Sequence, residues 1–227
     1  MQEMMLARAK ALLQSGDVQR VLGWQTGEFV YDVPPAVFET AEELDAKFVY
    51  NDFCGSNLSK YLVKESRKEG RVLVFLKPCD TYSFNQLIKE HRIARENIYV
   101  IGVPCAGKTD GETLKALGLK GILGVKDAGD SFTVETLYGE KTVSKQEALP
   151  ERCRSCKSHK HMVYDELLGE EGEVLDSHRF DMVEKIESMS ADERFAFWQG
   201  ELSRCIRCNA CRNVCPACTC EKCVFDN

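Results

Sequence analysis

The stretch RVLVFLKPCDTYSFNQLIKEHRIARENIYVIGVPC, residues 71–105, decides how this chain folds. RVLVFL (Arg71–Leu76) is an apolar run of strand length, DTYSFNQLIKEHRI opens on Asp80 as a helix N-cap, and NIYVIGV (Asn97–Val103) is a second buried strand. Two apolar strands flanking a helix form a β–α–β unit, which implies parallel strands and a right-handed crossover. Upstream, residues 3–14 carry Met4, Met5, Ala7 and Leu12 at helical spacing before Gly16 and Asp17 stop them, VQRVLGW is a short strand, and Leu58–Lys68 is expected to be a helix. Downstream, Gly121–Val143 breaks into short β-prone pieces (ILGVK, FTVETLY, KTV) separated by glycine and aspartate, the pattern of a small antiparallel excursion. An acidic, weakly patterned segment follows to about Asp176, and Ser190-Ala-Asp-Glu193 is a capping box for a helix to about Arg204.

Composition narrows the function classes. With 227 residues, 44% of them hydrophobic, the chain suffices for one core and a small appendage. The net charge of −6, with both signs interspersed, gives no electrostatic footprint for nucleic acid or anionic lipid. No stretch approaches a bilayer span, and MQEMMLARAKALLQSGD is a mixed-charge amphipathic helix rather than a signal sequence, so a cytoplasmic protein is expected. Twelve cysteines in such a chain point to metal ligation rather than disulfides, because the cytosol keeps thiols reduced.

The clearest chemistry lies near the C-terminus. Cys205, Cys208, Cys211 and Cys215, in CIRCNACRNVCP, follow C-x₂-C-x₂-C-x₃-C-P, by which a tight loop wraps three thiolates around one face of a [4Fe-4S] cubane. The fourth cysteine of such runs serves a neighbouring cluster in two-cluster ferredoxins, so Cys205, Cys208 and Cys211 are the firm ligands. Cys218, Cys220 and Cys223 follow, and with Cys215 they suit either a second iron–sulfur centre or a zinc. Seven cysteines within nineteen residues, with few large apolar neighbours, cannot bury a core of their own, so this tail is expected to be covered by another subunit. The expected architecture is α/β: residues 1–180 form a mostly parallel sheet domain, and residues 181–227 a helix plus a ferredoxin-like cluster module.

Four further cysteines occupy a second pattern. Cys79 and Cys105 each follow a proline at the end of a strand, where open α/β sheets place their ligands, and Cys153 and Cys156 form a CxxC pair. Together they supply the four thiolates of a cubane. Here the sequence resembles the β-subunits of deazaflavin-reducing hydrogenases and their formate dehydrogenase relatives. The resemblance lies in FVYNDFCGSNLSKYL, VFLKPCDTYSFNQLIKEHRI, IYVIGVPCAG and CRSCKSHKHMVYDELLG, and covers roughly Phe48 to Gly169. It implies that Cys79, Cys105, Cys153 and Cys156 bind one [4Fe-4S] cluster beside an FAD. Leu76-Lys77 stands where the family usually has Gly-Thr, and the acidic motif after CxxC is Tyr164-Asp165-Glu166. Longer members continue into a second ferredoxin motif, so this chain is expected to be a shortened form or to draw on a partner.

Other residues carry weaker signals. Asn57, Ser59 and Lys60, opening the expected helix after Gly55, are candidate contacts for a flavin phosphate or ribose, since a helix N-terminus offers free N–H donors. Cys54 lies near the site without a family counterpart as ligand, and His159 and His161 are expected to be solvated on a lysine-rich turn. Gly107-Lys108-Thr109 lacks P-loop spacing, and no Rossmann fingerprint follows any strand. The expected function is electron relay by an iron–sulfur subunit, with at least two cubanes and FAD, in a complex with other redox subunits. The alternatives are a zinc-stabilised interaction module and a self-sufficient deazaflavin or nicotinamide reductase.

Overall fold

A computed structural model describes residues 1–157, 159–174 and 179–220. Helix α1 (Gln2–Ser15) closes on Gly16 in the left-handed conformation, and strand β1 (Arg20–Trp24) follows. The decisive stretch folds as expected: β3 (Val72–Leu76) leads through α4 (Pro78–Lys89) to β4 (Ile98–Gly102), and the two strands pair in parallel. All five residues of β3 are buried, which is why its sequence is a continuous apolar run rather than an alternation. β1 joins the other side of β3 in parallel.

Two strands that the sequence did not announce complete this sheet, whose order is β2-β1-β3-β4-β8. β2 (Pro35–Phe38) pairs antiparallel with β1, and β8 (Glu166–Leu167) pairs parallel with β4. The acidic motif after CxxC belongs to this margin: Glu166 pairs with Arg8 at 2.8 Å and Asp165 with Arg95 at 2.6 Å. Helix α2 (Ala41–Lys47), capped by the Thr40 side chain, packs against α1.

Two expected boundaries are corrected. Helix α4 starts at Pro78, whose fixed φ suits the first helical position, so Asp80 is not the N-cap; its carboxylate instead accepts from the backbone N–H of Lys77 at 3.2 Å. Leu58–Lys68 is not one helix but a 3-10 turn (Ser59–Tyr61) and the short α3 (Leu62–Glu65). The serines at both ends hydrogen-bond outside the segment, Ser59 Oγ to the Asp80 carbonyl at 2.9 Å and Ser66 Oγ accepting from Ala94 N at 3.2 Å, and compete with helical continuation.

Helix α5 (Gly111–Ala116), capped by Asp110, leads to the expected antiparallel excursion. It is a separate sheet of β5 (Ile122–Asp127), β6 (Ser131–Thr136) and β7 (Gly139–Ser144), with Phe132 and Val134 of β6 closing a small second core against Phe53, Leu114 and Leu119. Helix α6 (Glu151–Arg154) carries the CxxC region. Further on, α7 (Asp181–Ser188), α8 (Ala191–Leu202) and α9 (Ala210–Val214) bury none of their residues. The capping box at the start of α8 forms as expected: Ser190 Oγ accepts from Glu193 N, and the Glu193 carboxylate accepts from Ser190 N at 2.9 Å.

Phe75 sits at the centre of the main core, wholly buried with Phe48 at 5.7 Å between ring centroids. Phe75→Ala is expected to destabilise the protein by about 3–5 kcal/mol, as deletion of a buried ring does. Anaerobic urea unfolding followed by far-UV circular dichroism measures it.

Candidate metal centre

The parallel register of β3 and β4 sets Leu76 opposite Gly102, and Val103 N donates to the Leu76 carbonyl at 2.9 Å. The two Pro-Cys turns therefore leave from adjacent strand ends. Cys79 lies in the first turn of α4, and Cys105 in the loop after β4. That loop is shaped by Gly107 at φ 121°, where a Cβ would lie 2.4 Å from Leu149 Cδ2. The third segment, around α6, is tied in by Arg152, whose Nη2 donates to the Asp110 carboxylate at 2.8 Å. Cys153 and Cys156 sit there one turn apart, Cys156 N donating to the Cys153 carbonyl at 3.3 Å.

Cys79, Cys105, Cys153 and Cys156 line one cavity of about 260 Å³. Three chain segments, up to 77 positions apart (156 − 79), thus bring four thiols to one place. Cys79 is exposed as a residue, but desolvation of its thiol within the cavity pushes the thiol up, and Asp80 beside it pushes the same way. Burial likewise raises Cys105, against the pull of the Gly107 backbone N–H. Such thiols stay protonated unless a cation replaces the proton, which is what a bound metal does. Among the described residues no three His, Cys, Asp or Glu side chains meet as a single-ion site. A multi-iron cluster ligated by four thiolates fits this donor set.

Sequence reasoning named Lys77 and Lys108 only as a family departure and a weak phosphate signal, not as cations of this cavity. Lys77 and Asp80, each 2% exposed at the side chain, form an ion pair at 2.8 Å. Burial works against the Lys77 charge, but the Asp80 carboxylate prevails and raises its pKa. Lys77 Nζ also donates to the Ser56 carbonyl at 3.0 Å and lies 4.6 Å from the Trp24 ring centroid. Lys108 borders the same cavity, donating to the Asn51 carbonyl at 3.0 Å, with its ammonium 4.1 Å from the Tyr50 ring centroid. A lysine immediately after a fully apolar strand, as in VFLKPC, was the available signal for Lys77.

Several expectations change here. His161 is not solvated: its ring is buried, and Nε2 lies 3.0 Å from the Leu76 carbonyl, so this nitrogen carries a hydrogen and donates. Glu171 faces Nδ1 at 3.2 Å, and Met162 N donates to Thr81 Oγ1 at 3.1 Å, fixing the segment after CxxC to β3 and α4. His159 lines the thiol cavity and is only partly exposed. Cys54 is a core residue whose Sγ accepts from Asn51 N at 3.3 Å, and Thr109 Oγ1 donates to the Ala148 carbonyl at 2.6 Å. The proposed flavin contacts are otherwise engaged. Asn57 borders the thiol cavity but donates to Ser83 Oγ at 2.7 Å, and Ser59 is wholly buried. Lys60 Nζ donates to the carbonyls of Cys215, at 2.7 Å, and Cys218. The helical run there opens as a 3-10 turn at Ser59, where Asn57 Oδ1 accepts from Ser59 N at 2.9 Å, and passes into α3.

In the tail, Cys205, Cys208, Cys211, Cys218 and Cys220 are exposed and Cys215 is partly so; Cys223 lies outside the described residues. Arg207 and Asn209, at φ 58° and 60°, flank Cys208 and curl the loop before α9. Left-handed conformations cost free energy for residues other than glycine and persist where their surroundings require them.

The fold and this site define an α/β domain with a four-thiol cage at the ends of its parallel strands. Comparison with known proteins is more particular. The chain is 25% identical over 275 aligned positions to the F420-dependent formate dehydrogenase subunit beta of Methanocaldococcus jannaschii, covering 96% of this chain and 72% of the relative. It is 23% identical over 278 positions to the F420-dependent formate dehydrogenase 1 subunit beta of Methanococcus maripaludis, covering 95% and 72%. A chain of the F420-reducing [NiFe] hydrogenase complex from Methanosarcina barkeri shares the fold, with a TM-score of 0.53 at 16% identity; the match covers 68% of this chain and 59% of that one. No family model matches the chain. The β-subunit resemblance read from the motifs thus extends along nearly the whole sequence.

Removing one member of a buried ion pair leaves the other charge uncompensated, so Lys77→Met is expected to cost about 3–5 kcal/mol. The double variant Lys77→Met/Asp80→Asn should recover most of that loss. Thermal unfolding of the three proteins under anaerobic conditions compares them.

Proposed function

We propose that this chain is the electron-transfer subunit of a multi-subunit oxidoreductase of formate dehydrogenase or hydrogenase type, with residues 1–180 as its α/β domain and 181–227 as a cluster module. The convergence of Cys79, Cys105, Cys153 and Cys156 on one cavity carries this reading. The near-full-length likeness to β-subunits of F420-dependent formate dehydrogenases supports the kind of complex. The four thiols would hold one [4Fe-4S] cluster, and Cys205, Cys208 and Cys211, with a fourth ligand from the remaining tail cysteines, a second. A cubane supplies one-electron storage when bound, and an FAD the exchange between one- and two-electron chemistry.

The chain's own residues have defined tasks around such a centre. The cysteines bind, the β3–β4 register and His161 fix where their backbones stand, and Lys77 and Lys108 place positive charge beside a thiolate cage that would otherwise be strongly anionic. On the outer side of Cys79 and Cys156, a groove of about 580 Å³ carries Tyr82, Arg152, Lys157, Arg179 and Phe180. Its aromatic surface and cations suit the ring and phosphates of a flavin. Among the described residues no helix is long and apolar enough to cross a membrane.

Anaerobically purified protein is expected to hold iron and sulfide for two cubanes, and to bleach in the visible with dithionite. Cys105→Ser should remove the α/β-domain cluster and spare the tail cluster, while Cys208→Ser should do the reverse. Iron below one cubane with zinc in its place would favour an interaction module instead, and full iron in Cys105→Ser would refute the ligand set.

A further inference from the structure

The thiol cage and the cysteine tail meet through one short segment. Asn57, which borders the cage, and Lys60, which binds the tail, are three positions apart around the 3-10 turn Ser59–Tyr61. Three residues of backbone span at most about 11 Å. The Lys60 ammonium donates to two backbone carbonyls, those of Cys215 and Cys218. Cys215 is the C-cap of α9, where a helix leaves its carbonyls unsatisfied and where the helix dipole favours a cation. A second contact lies beside it: Thr219 Oγ1 donates to Glu90 Oε2 at 2.6 Å, Glu90 being the C-cap of α4. That bond holds the Glu90 carboxyl below its usual range, with smaller help from Gln86 and from the charge of Lys60. Helix α4 carries Cys79 in its first turn and Glu90 at its far end, about 16 Å along the axis, so the second contact ties the tail to the helix that leaves the cage.

We infer that Lys60 and Glu90 form an internal dock that seats the cysteine tail beside the thiol cage, so that electrons pass between the two sites within this one chain. The inference rests on the electron-transfer reading for its purpose but not for its existence, since the dock is made of protein groups alone. Lys60 grips backbone carbonyls rather than a cysteine side chain. Lys60 is a positioning residue in this scheme and not a contact for flavin.

Hydrogen–deuterium exchange of the full chain tests it, comparing wild type with Lys60→Met, Lys60→Arg and Glu90→Ala. Loss of a charge-assisted anchor should speed exchange of amides 210–220 about tenfold in Lys60→Met, and less in Glu90→Ala. Lys60→Arg, which keeps charge and donors, should retain protection, and the exchange of β3 and β4 should not move in any variant. In protein carrying both clusters, magnetic coupling between the two reduced centres in electron paramagnetic resonance should be present in wild type and lost in Lys60→Met without loss of iron. Unchanged exchange over 210–220 in Lys60→Met would overturn the dock. Wild type that holds no iron, yet shows the exchange difference, would retain the dock and refute the electron-transfer reading.

Discussion

Parallel pairing of β3 with β4, in the register that sets Leu76 opposite Gly102, is the constraint on which the site depends. A one-residue slip would exchange the faces of both strands and separate the two Pro-Cys turns. The register is held from within by side chains buried on both faces of β3, and from the end by His161, which donates to the Leu76 carbonyl. Gly102 makes the second restraint possible. A Cβ there would lie 3.0 Å from Leu167 and 3.1 Å from the His161 ring, so any larger residue would press on the ring where it crosses the strand end. The segment after CxxC is thereby brought under the sheet, and Cys153 and Cys156 arrive opposite Cys79 and Cys105.

Charge is arranged around this frame with equal economy. Lys77 and Lys108 are deeply buried, a costly placement that each offsets differently: Lys77 with the Asp80 carboxylate and the Trp24 ring, Lys108 with the Asn51 carbonyl and the Tyr50 ring. Burial lowers the Lys108 pKa, whereas Asp80 raises that of Lys77. The two cations thus differ in how firmly they hold their protons, although both border the same thiols.

Much of this was legible in residues 71–105, because strands buried on both faces write themselves as unbroken apolar runs and because Pro-Cys at each strand end marks the ligand-bearing side of a parallel sheet. The antiparallel excursion was legible from its glycines and its short alternating pieces. β2 and β8 were not: one opens on Pro34-Pro35 and is mostly half-exposed, and the other is two residues long, so neither carries a periodic signal. The cage cysteines could be named, but the lysines around them could not, since a lysine beside a strand looks solvated until its partners are known. His161 was misread for the same reason, its partners being a carbonyl 85 positions earlier and Glu171. Lys60 was singled out as a candidate flavin contact, and nothing local in the sequence shows that the tail lies against it.

The margins of the main sheet limit how this protein can associate. β2 begins at Pro35, directly after Pro34, and proline cannot donate to an incoming strand. At the opposite margin β8 offers two residues, and the Asp165 carboxylate accepts from Val100 N at 2.7 Å, taking the place that a longer neighbouring strand would fill. Neither side is a template for strand addition. Self-association by sheet extension, the common failure of exposed β-edges at high concentration, is disfavoured at both ends of this sheet. Contacts with other chains are left to helices such as α7 and α8, whose apolar side chains Met182, Val183, Phe195 and Trp198 stand in the open.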